Sequence, residues 1–286
     1  LLFGSGYLAN VGTIAALAGR GEVVFSDELN HASIIDGCRL SRAETFVYRH
    51  GDVEHLAWGL REAGERTSLI VSDGLFSMDG DVAPLTELTE LARRYDCRLM
   101  VDEAHATGAL GPGGRGTHAY HDVVERVDIL TGTLGKAVGG ASGGYVAGRG
   151  EIVELLRQRA RPYLFSNSLA PAVVGASLKA LELIHRSDDL RGRLEENTRV
   201  FRERMTELGF DVLPGEHPIV PVMIGDAQQA ADFSAKLVAH GVFAVAFSYP
   251  VVPLGTARIR TQMSAAHSPA DVEQAIEAFV AARAEV

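Results

Sequence analysis

Five short apolar runs, EVVFSD, TSLIVSDG, RLMVDEAH, DILTGT and GGYVAG, recur through the first 148 residues and end in polar or turn-forming residues. Between them lie longer stretches with helical spacing, YLANVGTIAALAG, DVEHLAWGLREAG and PLTELTELARRYD, the last with Pro84 at a helix-starting position. This alternation constrains the fold strongly. Strands of this length separated by helices predict an α/β fold in which a mostly parallel sheet is covered on both faces. Ligands of such sheets bind beyond the C-terminal ends of the strands. The residues that follow strands are therefore the ones to read for chemistry.

After GGYVAG the pattern changes to long helical stretches, Glu151 to Arg159 and about Ala170 to Leu208, the second containing a charged HRSDDLR that reads as a hinge. Beyond it, PIVPVMIG, VFAVAF and ARIRTQM read as strands, flanked by helices near 226–240 and 268–284. The expected organisation is a large domain over residues 1–185 and a smaller C-terminal α/β domain over 186–286. With 286 residues, 47% of them hydrophobic, the chain is long enough to bury both cores. Its 27 basic and 37 acidic residues give a net charge of −10, which argues against nucleic acid or an anionic membrane as partner. An anionic ligand must then be gripped by local groups. Apolar runs all fall short of the roughly 18 residues a membrane span needs. Cys38 and Cys97 match no metal-ligand spacing and read as plain thiols of a reducing, cytoplasmic setting; no metal site is expected.

Three strand-end or helix-start segments carry candidate chemistry. GSGYLA, Gly4 to Ala9, places glycines before a helix, where unpaired backbone N–H groups make an anion site. The same letters fit a dinucleotide fingerprint, with Asp27 about 20 residues on as its acidic residue, so a nicotinamide oxidoreductase stays open at this point. In VDEAHATG, Asp102 closes a strand and His105 follows in the loop, so both can face one ligand. In TGTLGKAVGGASGG, Lys136 follows a strand in a segment almost without other charge, where desolvation would favour a neutral, nucleophilic amine. Thr131 and Thr133 add hydroxyls, and the glycines allow close approach of a ligand. An anion cradle, a strand-end carboxylate with a histidine, and a nucleophilic lysine together match the needs of pyridoxal 5′-phosphate.

With SDELNHASIIDG, SDGLFSMDGDVAPL, VDEAHATGALGPGGRG, TGTLGKAVGGASGG, RPYLFSNSLAP and YPVVPLGTARIRTQMSAAH in this order, the chain resembles the α-oxoamine synthases over essentially its whole length. These are fold-type I pyridoxal-phosphate transferases. The resemblance implies that Lys136 binds the cofactor covalently and carries the substrate proton, and that Asp102 pairs with the pyridine nitrogen. It implies that His105, with Ser77, reaches the phenolic oxygen and that His31 stacks on the ring. Gly6 and Tyr7 amides with the Thr133 hydroxyl would hold the phosphate, completed by Ser166 from a neighbouring subunit of a homodimer. Arg260 would bind the substrate carboxylate, with Arg258, two positions away, expected on the opposite side of the strand. The wording of the last motif favours glycine and acetyl-CoA as the substrate pair; a family member taking alanine and a longer acyl thioester is the alternative, and a cofactor-binding fragment without catalysis a remoter one. Arg157, Arg159 and Arg161 are candidates for a coenzyme A patch or a solvated helix face. The family pattern also has residues ahead of the phosphate loop that shape the substrate mouth, and commonly a larger residue than Gly6.

Overall fold

The computed structural model describes all residues, Leu1–Val286. They pack as two units, Leu1–Phe76 with Val82–Ser187, and Ser77–Asp81 with Asp188–Val286. The first unit runs β1 (Leu2–Phe3), α1 (Gly6–Leu17), β2 (Val23–Asp27), α2 (Ala32–Ser41), β3 (Glu44–Tyr48), α3 (Val53–Ala63) and β4 (Thr67–Asp73). It continues with α4 (Leu85–Arg94), β5 (Arg98–Asp102), α5 (Thr117–Tyr120), β6 (Ile129–Thr133), β7 (Gly144–Gly148), α6 (Gly150–Arg159), α7 (Arg161–Leu164) and α8 (Pro171–Arg186).

Its seven strands form one sheet in the order β1-β7-β6-β5-β4-β2-β3. The strands from β3 across to β6 are parallel, β7 runs antiparallel to β6, and β1 pairs antiparallel with β7. The reversal at β7 follows from chain length, because residues 134–143 are too few for the crossover a parallel neighbour requires. Both faces of the sheet are buried. Along β4, Ile70 joins a core with Phe25, Leu56, Leu60, Leu88 and Leu99, while Leu69 and Val71 join one with Ile14, Val24, Ile34 and Met100. The period-two alternation of a strand thus feeds both layers, and the apolar runs read as continuous. Helix α2 lies close against α1 because residue 37 is glycine; a Cβ there would stand 2.9 Å from Ile14 Cδ1. That approach brings Ser33 to Asn10, which matters below.

The second unit contains α9 (Asp188–Glu207), β8 (Ile219–Gly225), α10 (Ala227–Ala239), β9 (Val245–Phe247), β10 (Ala257–Gln262) and α11 (Pro269–Glu285). Its sheet is antiparallel, in the order β8-β10-β9. Phe201, Met205, Val220, Val222, Phe233, Ile259 and Phe279 form its core. The long helical stretch of the sequence divides at Ser187, whose hydroxyl bonds back to the Leu183 carbonyl, and Asp188 and Asp189 open the next helix, as suits the positive end of its dipole. Arg258 and Arg260 share a face of β10, contrary to the expectation that they oppose each other. Arg258 donates to the Met78 carbonyl at 3.1 Å and pairs with Asp79, and Arg260 donates to the Ser77 carbonyl at 3.0 Å. The reason is elementary: side chains alternate along a strand, so positions two apart point the same way. None of the helices is long and apolar enough to cross a membrane.

Candidate active site

The C-terminal ends of β4, β5 and β6 lie side by side, with Asp73 in register with Asp102 and Asp102 with Thr131. Asp102 is buried, and both its oxygens accept hydrogen bonds: Oδ2 from Asn10 Nδ2 at 2.6 Å and Oδ1 from the Ala104 N–H at 2.8 Å. The loop after β5 carries His105, and the loop after β6 carries Lys136, with Nζ 2.7 Å from His105 Nε2. Such a bond needs a lone pair on one of the two nitrogens, so at most one of them points a proton at the other. Lys136 itself is exposed, which differs from the desolvated amine expected from its charge-poor segment. Glycine and alanine neighbours do not cover a long side chain; His105, not burial, is the group that stands against the amine.

His31 caps α2 at the end of the loop after β2. Its backbone N–H donates to Asp73 Oδ2 at 2.9 Å, and its Nδ1 lies 2.7 Å from Ser33 Oγ and 3.2 Å from the Ser33 nitrogen. The residue is exposed, yet this edge of the ring faces buried Ser33. Desolvation lowers the His31 pKa below the usual imidazole value; Asp102 opposes the shift and Lys136 adds to it. Asp73 moves the other way. Burial, reinforced by the Asp102 charge, raises its carboxyl well above the ordinary range, while the His31 N–H and Lys136 act against the rise. Asp73, Asn10 and Ser33 are site residues that the sequence reading passed over. Asp73 had a usable signal: TSLIVSD ends in aspartate as RLMVD does, and neighbouring parallel strands bring two such ends together.

Helix α1 begins at Gly6, capped by Ser5, whose Oγ accepts from the Leu8 N–H at 3.1 Å. A Cβ on Gly6 would lie 3.3 Å from the Gly132 carbonyl and 3.4 Å from Thr133 Cβ, so the helix start abuts the end of β6. Thr133 Oγ1 donates to the Gly143 carbonyl at 3.1 Å and accepts from Gly135 N–H at 3.3 Å. First-turn amides of a helix have no intrahelical acceptor and face an anion readily. Tyr7 is exposed with its hydroxyl bonded to Asp36, and Ser166 lies on an exposed stretch between α7 and α8. Ser77 and Arg260 belong to the second unit, where Arg260 is partly buried with its guanidinium 5.1 Å from the Phe247 ring centre. Desolvation lowers its pKa from the usual guanidinium value. Arg157 pairs with Glu154 at 3.2 Å, as on a solvated helix face.

Asp27 and the dinucleotide fingerprint resolve as structural, and so does Glu103. Asp27 is buried and both its oxygens are engaged inside the protein, accepting from the Leu29 and Gly51 N–H groups while contacting His50 Nδ1 at 3.0 Å. The two-residue β1 before the glycine turn pairs antiparallel, without the parallel βαβ unit that a dinucleotide site needs. Glu103, beside Asp102, is fully buried and accepts from Thr117 N–H, Thr117 Oγ1, His118 N–H and His118 Nδ1 at 2.7–3.0 Å. It closes the loop that carries His105. Glu103→Ala is expected to reduce the unfolding free energy by about 3–5 kcal/mol, because several buried donors lose their acceptor. Denaturant titration of both proteins measures it, and a loss below about 1 kcal/mol would remove Glu103 from this role.

The profile of the family described as Aminotransferase class I and II matches residues 1–279. The chain belongs to this family. Within it, the resemblance to α-oxoamine synthases extends over nearly the whole chain. The 2-amino-3-ketobutyrate coenzyme A ligase of Escherichia coli K12 is 54% identical over 282 residues, spanning 98% of this chain and 71% of that protein. An 8-amino-7-oxononanoate synthase of Thermoanaerobacter pseudethanolicus is 48% identical over 281 residues, again 98% of this chain and 71% of the other. Among solved structures, a serine palmitoyltransferase from S. paucimobilis, described with bound PLP, superposes with a TM-score of 0.95 at 35% identity, covering 99% of this chain and 72% of that one.

The cofactor of these class I and II enzymes is pyridoxal 5′-phosphate, and the donor set at the strand ends suits it. The site provides an amine at Lys136, a buried carboxylate at Asp102 with both oxygens oriented by N–H donors, and a helix N-terminus at Gly6 tight against β6. Those are the three chemically distinct ends of that molecule: a carbonyl, a basic ring nitrogen and a phosphate.

Proposed function

We propose that the chain condenses glycine with acetyl-CoA to give 2-amino-3-ketobutyrate and CoA, reversibly, with pyridoxal phosphate at Lys136. The observation that carries the reading is the Lys136–His105 contact beside a buried, doubly hydrogen-bonded Asp102. The 54% identity to the Escherichia coli ligase supports this substrate pair over the alternative of alanine with a longer acyl-CoA, the reading that the 48% identical synthase keeps in play.

When bound, pyridoxal phosphate supplies an electron-withdrawing ring that stabilises negative charge on the carbon next to the substrate amine. The remaining work falls to the chain. Asp102 holds the proton on the ring nitrogen. Lys136 Nζ would hold the cofactor through its carbonyl carbon until the glycine amine displaces it, and the freed amine would take up and return the glycine Cα proton; His105 with Ser77 would orient the phenolic oxygen. His31 covers one ring face, and the Gly6 and Tyr7 amides with Thr133 Oγ1 hold the phosphate. Ser166 of the partner subunit completes that corner in a homodimer; Phe165 beside it, 79% exposed, and the exposed Leu164, Leu178 and Leu183 support a subunit contact there. The thioester C–S bond breaks as the new C–C bond forms, and the carboxylate of glycine is kept in the product. One guanidinium fork at Arg260 therefore serves substrate and product alike. The free thiols Cys38 and Cys97 suit a cytoplasmic setting.

A CoA-release assay with the two substrate pairs tests the reading: glycine with acetyl-CoA should be turned over faster than alanine with a longer acyl-CoA, and the reverse order would replace the proposal by its alternative. Arg260→Lys is expected to raise the KM for glycine about tenfold or more with charge retained, since an ammonium cannot supply a planar two-point contact. An unchanged KM would move the carboxylate to another residue.

A further inference from the structure

We propose that Asn10 is a positioning residue that joins the Asp102 carboxylate to the His31 imidazole through Ser33 and so fixes that imidazole as its neutral Nε2–H tautomer. The inference rests on the proposed function insofar as Asp102 and His31 flank the same bound ring.

The argument is a count of donors. A carboxylate only accepts, so the Asn10 side-chain atom 2.6 Å from Asp102 Oδ2 is the amide nitrogen, which sets the orientation of the whole amide. The same nitrogen lies 2.9 Å from Ser33 Oγ, which takes its second hydrogen. The amide oxygen accepts from Thr131 Oγ1 at 2.6 Å. Asn10, Ser33, Thr131 and Asp102 are each 5% exposed or less, so water does not compete for these bonds. Having accepted from Asn10, the Ser33 hydroxyl has its own hydrogen to place, and His31 Nδ1 lies 2.7 Å away. The Ser33 backbone N–H points at the same nitrogen, at 3.2 Å. A ring nitrogen that receives two hydrogens holds none of its own, so the imidazole proton sits on Nε2.

The charged groups around His31 fit this assignment. Asp73 on β4 engages its backbone N–H and not its ring, Lys136 and desolvation disfavour a ring charge, and Asp102 alone favours one. Protonating Nδ1 would set an N–H against two donors. A neutral ring laid over a pyridinium adds no like charge to it, and the bond network holds the ring in that state without a separate counter-ion.

Long-range proton–nitrogen NMR of the chain labelled with ¹⁵N-histidine tests the proposal, with His31→Gln used only to assign the signal among the ten histidines. Near neutral pH, His31 should show an unprotonated Nδ1 and a protonated Nε2, with and without pyridoxal phosphate. Ser33→Ala should mix the tautomers and raise the titration midpoint by roughly 0.7 pH unit, the worth of one hydrogen bond to the neutral form. Ser33→Thr should restore the wild-type signal, and Asn10→Ala should shift the midpoint in the same direction as Ser33→Ala. An Nδ1–H tautomer in the wild type, or a midpoint unmoved by both Ser33→Ala and Asn10→Ala, would overturn the proposal. The wild-type tautomer decides even where a variant does not fold. Failure to take up pyridoxal phosphate would sink the proposed function, whereas the cofactor-free spectra judge Asn10 separately.

Discussion

Replacing Lys136 by alanine is expected to lower CoA release from glycine and acetyl-CoA by about 10⁴-fold or more while leaving the fold intact. Two losses combine. Removing a positioned proton carrier alone costs about 10²–10⁴-fold, and removing the amine that binds the cofactor takes away covalent catalysis as well. The fold should tolerate the change because Lys136 is exposed and its loop is held by main-chain bonds, Leu134 N–H to the Gly143 carbonyl, Gly140 N–H to Leu134 and Gly139 N–H to Lys136. Exposed substitutions away from such features usually stay within about 0.5 kcal/mol. Steady-state kinetics and a thermal melt on the two proteins check both halves of the expectation. Borohydride reduction of the loaded wild type followed by peptide mapping should place the cofactor on Lys136. Activity retained within tenfold would make another group the proton carrier, and His105, 2.7 Å from the amine, is the first to examine.

The parts of this fold that could be read from the sequence are those where one strand carries its own signature. β4, β5 and β6 are buried on both faces, so each shows a continuous apolar run followed by a polar residue, and each run points to its strand-end group. β3 escaped notice because it is a short edge strand whose Glu44, Thr45 and Val47 are exposed, which leaves an apolar run of only Phe46 to Tyr48. The segment around Cys38 reads as helix and is α2, although it is short and carries a glycine that disfavours helix but permits contact with α1. Asn10 looked like one polar interruption in an apolar helix; its partner Asp102 is 92 positions away, and no local spacing reveals such a pairing. The Lys136–His105 contact is of the same kind, since each residue sits in its own strand-end loop and the sheet order brings the loops together. Lys136's exposure was misjudged for a different reason, because a lack of neighbouring charge says nothing about which atoms cover a side chain.

Asp102→Asn should leave cofactor binding within about tenfold and slow exchange of the glycine Cα proton by about 10²–10³-fold. The geometry makes the substitution more than a loss of charge. Asp102 accepts an N–H on each oxygen, from Asn10 on one side and from the Ala104 backbone on the other. An asparagine there has one oxygen and one NH₂, so one of those two donors would face another donor, and the Ala104 N–H, being main chain, cannot turn away. The amide therefore directs its oxygen at Ala104 and its NH₂ at Asn10, which must flip or retreat; a flip turns the Asn10 NH₂ to Thr131 Oγ1, which then accepts where it donated at 2.6 Å. No carboxylate then remains to hold a proton on the ring nitrogen. Loss of one preorganised electrostatic contact aimed at developing charge costs about 10²–10³-fold, which sets the expected size. The residues proposed to hold the phosphate and the ring face do not include Asp102, so binding is expected to persist. Proton exchange followed by NMR in deuterated water, at matched cofactor occupancy, separates the two effects. Exchange near the wild-type rate would show that the ring nitrogen needs no proton from Asp102, and a protein that no longer takes up the cofactor would give Asp102 a binding role in place of an electronic one.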